Sequence, residues 1–198
     1  MRSNNKQVFL ASSSPRRAEI LTQMGIFFRI ISVSVPEIAS ENEICDEYVY
    51  RLAREKAQVG VKSRSEEDLV VIGADTVILL DNQILEKPIN EQDAFNMLAS
   101  LSNKTHLVKT AVSVCSRIKC ETVVQTSQVT MADLSSSEIS AYWQSGEPCG
   151  KAGGYAVQGK GAMFIKHIEG SYSGIMGLPI YETARLLNEF EVRSNFIN

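Results

Sequence analysis

The segment Leu69 to Leu80 reads LVVIGADTVILL, the apolar run of a buried strand with a single carboxylate, Asp75, set inside it. Aspartate suits strand interiors poorly and is costly to bury without a partner, so something must compensate it. A bound divalent metal, a lysine or a water held for proton transfer would do so at a site of chemistry. An internal salt bridge to a lysine or arginine would do so in a purely structural role, and the segment alone leaves both open. Thr76 sets a hydroxyl next to the carboxylate, although threonine is also simply a good strand former.

Four other stretches carry residues of the right kind. In Leu10-Ala11-Ser12-Ser13-Ser14-Pro15-Arg16-Arg17 a strand end runs into a serine loop and then a helix, with Ser14 at the N-cap and Pro15 at the first helical position. A helix start offers backbone N–H groups and the positive end of the dipole to an anion. Arg16 and Arg17 stand where acidic residues would favour the helix, a local cost that a bound polyphosphate would offset; a solvated first turn is the plainer reading. Along Asp46 to Ala57 the inward stripe Val49, Leu52, Ala53 is continued at helical spacing by Lys56, which either snorkels to the surface or reaches a charged ligand. A turn at Asp81-Asn82-Gln83 returns the chain as Ile84-Leu85-Glu86-Lys87-Pro88, so Glu86 and Lys87 sit on a segment that pairs with the Asp75 strand. Finally, Gly150 to Gly161 nearly completes a phosphate-binding P-loop between Gly154 and Lys160. Gly161 stands where that loop needs a hydroxyl, and the chain then continues as a strand where a helix is required, so the match is rejected. Its glycines would let backbone approach a ligand, with Gln158 offering a donor and an acceptor to a base edge, or they make a plain flexible loop.

The elements that must position these groups follow from periodicity. Strand-like runs (8–11, 27–33, 69–74, 76–80) alternate with helical patterns (15–24, 47–59, 91–101) through the first half. Two β-rich segments, 107–117 and 121–133, then read as an antiparallel pair. A helix opens in Ser135-Ser136-Ser137-Glu138 and stops before Gly146, a strand runs over 162–168, and a last helix carries Pro179 in its first turn. The fold class is α/β, a mixed central sheet flanked by helices. No repeat, low-complexity tract or linker divides the chain, so residues 1–198 read as one domain, large enough at 44% hydrophobic to bury its own core. The net charge of −3 provides no basic field for a nucleic-acid backbone, which points to a small anionic ligand held by a local group of cations. Cys45, Cys115, Cys120 and Cys149, with His106 and His167, lack zinc spacing and are expected to be reduced, mostly buried thiols. With neither a signal peptide nor a membrane-spanning run, the expected setting is the cytoplasm, away from membranes.

Taken in order, Ser12-Ser13-Ser14-Pro15-Arg16-Arg17, the Tyr50 to Ala57 helix, Gly73-Ala74-Asp75-Thr76, Leu85-Glu86-Lys87-Pro88, Lys151 to Gly161 and Ile168-Glu169-Gly170-Ser171-Tyr172 through Gly177-Leu178-Pro179 closely resemble the Maf family of nucleotide pyrophosphatases. The resemblance spans nearly the whole chain, and several motifs in fixed order are far more specific than any one of them. It implies a fold of two lobes around a cleft, like that of the inosine triphosphatases. It implies hydrolysis of a nucleoside triphosphate to the monophosphate and pyrophosphate, with Asp75 as proton acceptor and Mg²⁺ or Mn²⁺ as cofactor, held by Asp75 and Glu37. By the same resemblance Arg16, Thr76 and Gln158 set substrate choice, while Ser12, Arg17, Glu37, Lys56 and Lys87 line the site. Glu37 stands in an unremarkable Val35-Pro36-Glu37 loop, and only the family pattern raises it. Arg17 directly after Ser-Pro-Arg and Gln158 before Gly159 match the subgroup acting on dTTP and UTP, which implies house-cleaning of non-standard pyrimidine nucleotides. The 7-methyl-GTP subgroup usually has an aromatic residue after Ser-Pro and lacks the Gly-Lys-Ala-Gly-x-Tyr-x-x-Gln run. Ser13 stands where glycine is common. The family also suggests a homodimer, and a nucleotide-binding regulator of cell division is the competing reading.

Overall fold

The computed structural model describes residues 6–195, which form a seven-stranded mixed sheet flanked by helices. The first half alternates strand and helix as β1 (Gln7–Leu10), α1 (Pro15–Gln23), β2 (Arg29–Ile30), α2 (Cys45–Lys62) and β3 (Leu69–Leu80). A short β4 (Gln83–Leu85) and α3 (Glu91–Leu101) lead to two long strands, β5 (Thr105–Cys115) and β6 (Cys120–Met131). Then come α4 (Ser136–Gln144), two 3₁₀ turns at Ala152–Gly154 and Lys160–Phe164, β7 (Ile165–Glu169), α5 (Tyr172–Met176) and α6 (Ile180–Glu189). The strand order is β2-β1-β3-β5-β6-β7, with β4 on β3. β1 runs parallel to both β2 and β3, whereas β3–β4 and β6–β7 are antiparallel.

The chain divides into two compact units. One runs up to Asp75 and takes in Thr110–Gln125 and the chain from Gly177 onward; the other consists of Thr76–Lys109 and Thr126–Met176. The first buries Phe9, Ala11, Leu69 and Val71, with Ile31, Val33 and Val61 packed around them. The second is built on Ile78, Leu98, Leu101, Val129, Met131 and Tyr142 and their neighbours. Each core joins strand residues of alternate or continuous apolar pattern to the buried stripe of a helix, the arrangement that lets a sheet face and a helix face leave water together.

Local chemistry accounts for most boundaries. α3 begins where Asn90 accepts the N–H of Asp93 at 2.8 Å, and α4 begins with a capping box between Ser135 and Glu138. The β3–β4 turn is made by Asp81 and Asn82, both at positive φ, a two-residue hairpin that short polar side chains tolerate. Several sequence expectations are corrected. The apolar run 27–33 yields a strand of only Arg29–Ile30, because it lies at the sheet edge and leaves Phe27 81% exposed. The predicted strand over 162–168 opens as a 3₁₀ turn, and β7 starts only at Ile165. Pro179 caps α6 from outside its first turn. The cysteines are not uniformly reduced and buried: Cys115 and Cys120 face each other across the four-residue β5–β6 turn and form a disulfide, while Cys149 is exposed.

His106 in β5 is a buried base whose Nε2 shares a 2.7 Å hydrogen bond with the Tyr155 hydroxyl, while its Nδ1 is buried with no hydrogen-bond partner. Burial pushes its pKa from the ordinary 6.5 down to about 4. Below pH 6.5 the unfolded chain takes up a proton that the folded chain refuses, so stability is full above 6.5 and is lost as pH falls towards 4. The loss amounts to about 3 kcal/mol. Denaturant unfolding at pH 7 and pH 4.5 is expected to show a larger acid loss for the parent protein than for His106→Gln; equal losses would remove His106 as the cause.

Candidate active site

The parallel register of β1 on β3 pairs Leu10 with Ile72, and Ala11 N–H still donates to the Ile72 carbonyl at 2.8 Å. The serine loop therefore leaves the carboxyl end of β1 alongside Gly73 to Asp75 of β3, the kind of position where open α/β sheets bind their ligands. Asp75 is 7% exposed and Ser12 9%. Opposite them α2 lies unusually close to β3. A Cβ on Gly73 would land on the Ala53 carbonyl oxygen and 2.6 Å from the Ala57 nitrogen, so only glycine permits this approach.

That closeness lets Lys56, next to Ala57 on α2, reach Asp75. Its Nζ donates to Asp75 Oδ1 at 2.7 Å and to Glu37 Oε1 at 2.6 Å, a single ammonium joining two carboxylates. The side chains of Lys56 and Asp75 are 12% and 11% exposed, and Glu37 is more open at 41%. The lysine on the apolar helix face thus reaches a charged partner, where the sequence left snorkelling and binding both open. Glu37 comes from the irregular segment between β2 and α2, which Arg51 ties down. Its guanidinium takes both oxygens of Glu43 at 2.6 and 2.8 Å and donates to the Ile38 carbonyl at 3.0 Å. The hydrogen bond from Arg51 holds the Glu43 carboxyl at about 2, against the opposing effect of burial. Sequence reasoning missed this clamp, since Glu43 precedes the helix and shares no periodicity with Arg51.

The first turn of α1 completes the group. Ser14 occupies the N-cap position, as expected, yet its side chain makes no capping hydrogen bond, and the first turn contains no acidic residue. Its N–H donates instead to Ser12 Oγ at 3.2 Å, and the same oxygen accepts from Arg17 at 3.2 Å. Arg17 Nε also donates to the Gly177 carbonyl at 2.8 Å, which fixes the plane of the guanidinium. Burial holds Arg17 below its ordinary pKa, opposed by the charge of Asp75, reinforced by that of Arg16 and opposed again by that of Glu37. A guanidinium stays protonated under all these influences. Arg16 is half-buried in the same turn. Ser12, Arg17, Glu37, Lys56 and Asp75 thus stand together in the first unit.

The remaining expected residues belong to the second unit. Thr76 follows Asp75 in β3, and Glu86 and Lys87 fall just beyond β4, exposed, where the Glu86 carbonyl accepts the Gly153 N–H at 2.9 Å. The segment carrying Lys87 is therefore joined to the glycine-rich loop. Gln158 is exposed directly after the buried Tyr155, Ala156 and Val157. Asp75 and Glu37 also suit a hard divalent cation. Magnesium takes one or two carboxylates from a protein and fills its remaining positions with phosphate oxygens and water, and two carboxylate oxygens converging on one ammonium are such a pair. Among the described residues no group of three or more His, Cys, Asp or Glu forms a cage for a metal.

A carboxylate midway along β3, beside the carboxyl end of the parallel β1 and close to a lysine, an arginine and a helix start without a side-chain cap, defines an α/β protein that handles a small phosphorylated ligand. The chain belongs to the Maf family, whose model, described as Maf-like protein, matches residues 7–190. Among its relatives is a protein of Vibrio vulnificus named dTTP/UTP pyrophosphatase, 49% identical over 93% of this chain and 98% of its own length. Proteins of the same name from Aliivibrio fischeri and Pseudoalteromonas translucida are 48% and 50% identical, covering 93% and 92% of this chain and 98% and 96% of theirs. The Staphylococcus aureus Ham1 protein is a solved structure that overlaps 65% of this chain and 73% of its own, at a TM-score of 0.48 and 15% identity, too remote to inform the site. No helix among the described residues is long and apolar enough to cross a membrane.

Proposed function

We propose that this protein hydrolyses nucleoside triphosphates, dTTP and UTP foremost, to the monophosphate and pyrophosphate, and that it removes non-standard pyrimidine nucleotides from the cytoplasmic pool. The observation that carries the reading is the Lys56 bridge: a buried carboxylate held ready by a cation, beside Arg17 and Ser12, at the start of a helix that lacks its own cap. Relatives named dTTP/UTP pyrophosphatase at close to half identity over nearly their full length support the substrate.

In this reading Asp75 accepts the proton of a water that attacks the α-phosphorus, the bond to the bridging oxygen breaks, and pyrophosphate leaves with the electron pair. Lys56, donating to Oδ1 at 2.7 Å, holds the Asp75 carboxylate in place. Arg16, Arg17 and Lys87 take up the charge that builds on the leaving group, since phosphoryl transfer depends chiefly on positioning and electrostatics. Asp75 and Glu37 would hold a divalent cation, Mg²⁺ or Mn²⁺, whose chemistry is to neutralise phosphate oxygens. Thr76 and Gln158 face the choice of nucleotide, with Gln158 offering an amide donor and acceptor to the base.

Incubating the purified protein with a panel of nucleoside triphosphates and Mg²⁺ or Mn²⁺, then identifying the products, tests the reading. Monophosphate plus pyrophosphate is expected, with pyrimidine substrates preferred. Diphosphate plus orthophosphate would overturn the site of cleavage. Binding without turnover on any substrate would favour a regulator.

A further inference from the structure

Nothing in the composition of residues 150–161 fixes a conformation, yet in the fold the chain is fastened on both sides of Gln158. Glu147 Oε1 accepts the Tyr142 hydroxyl at 2.7 Å and the Gly161 N–H at 2.9 Å, and its Oε2 accepts the Lys160 N–H at 2.9 Å. On the other side the Ala156 N–H donates to the Tyr142 oxygen at 3.1 Å. Tyr142 is itself 4% exposed and packed in the core of the second unit, edge-on to Phe164, so the anchor is rigid. Gly159 makes the seating possible: a Cβ there would fall inside the Glu147 carboxyl group, 2.6 Å from Oε1. Between these fastenings Gln158 alone turns outward, following the buried run Tyr155 to Val157.

We propose that Glu147 and Tyr142 form a latch that sets nucleotide selectivity by fixing the backbone on either side of Gln158. The inference rests on the reading of Gln158 as the group that meets the base. Glu147 acts as a positioning residue and touches no substrate. Its pattern requires an ionised carboxylate, because every acceptor position in use faces a donor. Burial would raise its pKa, but the Gly161 and Lys160 amides and the Tyr142 hydroxyl outweigh burial and hold the carboxyl below its usual range. Glutamine keeps the shape but turns an amide N–H₂ towards a backbone N–H, which unfastens one side of the loop. In the proposed function the phosphates are met by Arg16, Arg17 and Lys87, none of which the latch touches, so loosening it should change which base is accepted more than how the triphosphate is handled.

The test measures kcat and KM of the full chain on dTTP, UTP, GTP and ATP, for the parent and for Glu147→Gln, Tyr142→Phe, Gln158→Ala and both pairings with Gln158→Ala. The expected result is a fall of about tenfold in the pyrimidine-to-purine ratio of kcat/KM for Gln158→Ala. Glu147→Gln should give a similar fall carried mainly by KM, and Tyr142→Phe a smaller one. Neither should lower the ratio further in the Gln158→Ala background, the signature of one path of action. An equal loss on all four substrates for Glu147→Gln and Tyr142→Phe, or additive losses in the pairings, would overturn the latch. An unchanged ratio in Gln158→Ala would overturn the base-reading role of Gln158 and the latch with it. If Glu147→Gln does not fold, the Tyr142→Phe pair decides by the same criteria.

Discussion

Replacing Asp75 by asparagine is expected to lower kcat by about a thousandfold or more while leaving nucleotide binding intact. The substitution preserves volume in a strand where Ile72, Ala74 and Val77 are buried, so the shape of the site is kept. Lys56 retains Glu37 at 2.6 Å, and the new amide oxygen can still accept from it, so the ammonium is not left buried and unpaired. What disappears is the ability to take a proton at neutral pH. Calorimetry with a non-hydrolysable α,β-methylene triphosphate should therefore give a dissociation constant within a few-fold of the parent's, beside single-turnover rates at background. Turnover near the parent level would remove Asp75 from the chemistry and return it to the structural salt bridge that its sequence context equally allowed.

Replacing Gly73 by alanine is the largest expected loss of stability. The added methyl meets the Ala53 carbonyl oxygen and the Ala57 nitrogen, both backbone of α2, and a helix backbone cannot swing aside as a side chain can. Relief requires α2 to move away from β3, uncovering contacts made by Leu52, Ala53 and Ala57, all 1% exposed or less. Overpacking of this kind costs about 3 kcal/mol. In a chain of this length that lowers the melting temperature by roughly 10 °C. The same displacement draws Lys56 off Asp75, so activity per folded molecule should fall as well. A melting temperature within about 2 °C of the parent's would show that the sheet and helix can part cheaply and that the close approach is incidental.

The reasons some of this was visible in the sequence and some was not are physical. Asp75 was legible because a carboxylate inside an apolar strand has few fates, and the fold shows it paired with a lysine, a partner that both readings allowed. α3 fell within its predicted bounds because Asn90 caps it, a short-range interaction written in the sequence itself. Lys56 was ambiguous because helical spacing gives a direction but not what waits at the end of it. Glu37 had no local signal at all: its place depends on a loop held by Arg51 and Glu43, three groups brought together only by the fold. The apolar run at 27–33 misled because periodicity reports which residues would gain from burial, not whether a neighbouring strand covers them, and Phe27 finds no cover. α5, at five residues, is shorter than the period that would have revealed it. The latch on Gln158 was hidden for the same reason as Glu37, since it joins Tyr142, Glu147 and backbone amides whose spacing follows no repeat.

The start of α1 carries a thermodynamic consequence. A helix entered by two arginines, with neither an acid in its first turn nor a side-chain cap, forgoes the stabilisation that those two features usually give. On the proposed function, a polyphosphate bound at this turn supplies the negative charge that an acidic first turn would otherwise provide. Occupancy of the site and stability of this helix start are then one equilibrium seen from two sides, and part of the folding free energy of the first unit is conditional, present in proportion to the nucleotide that the protein hydrolyses.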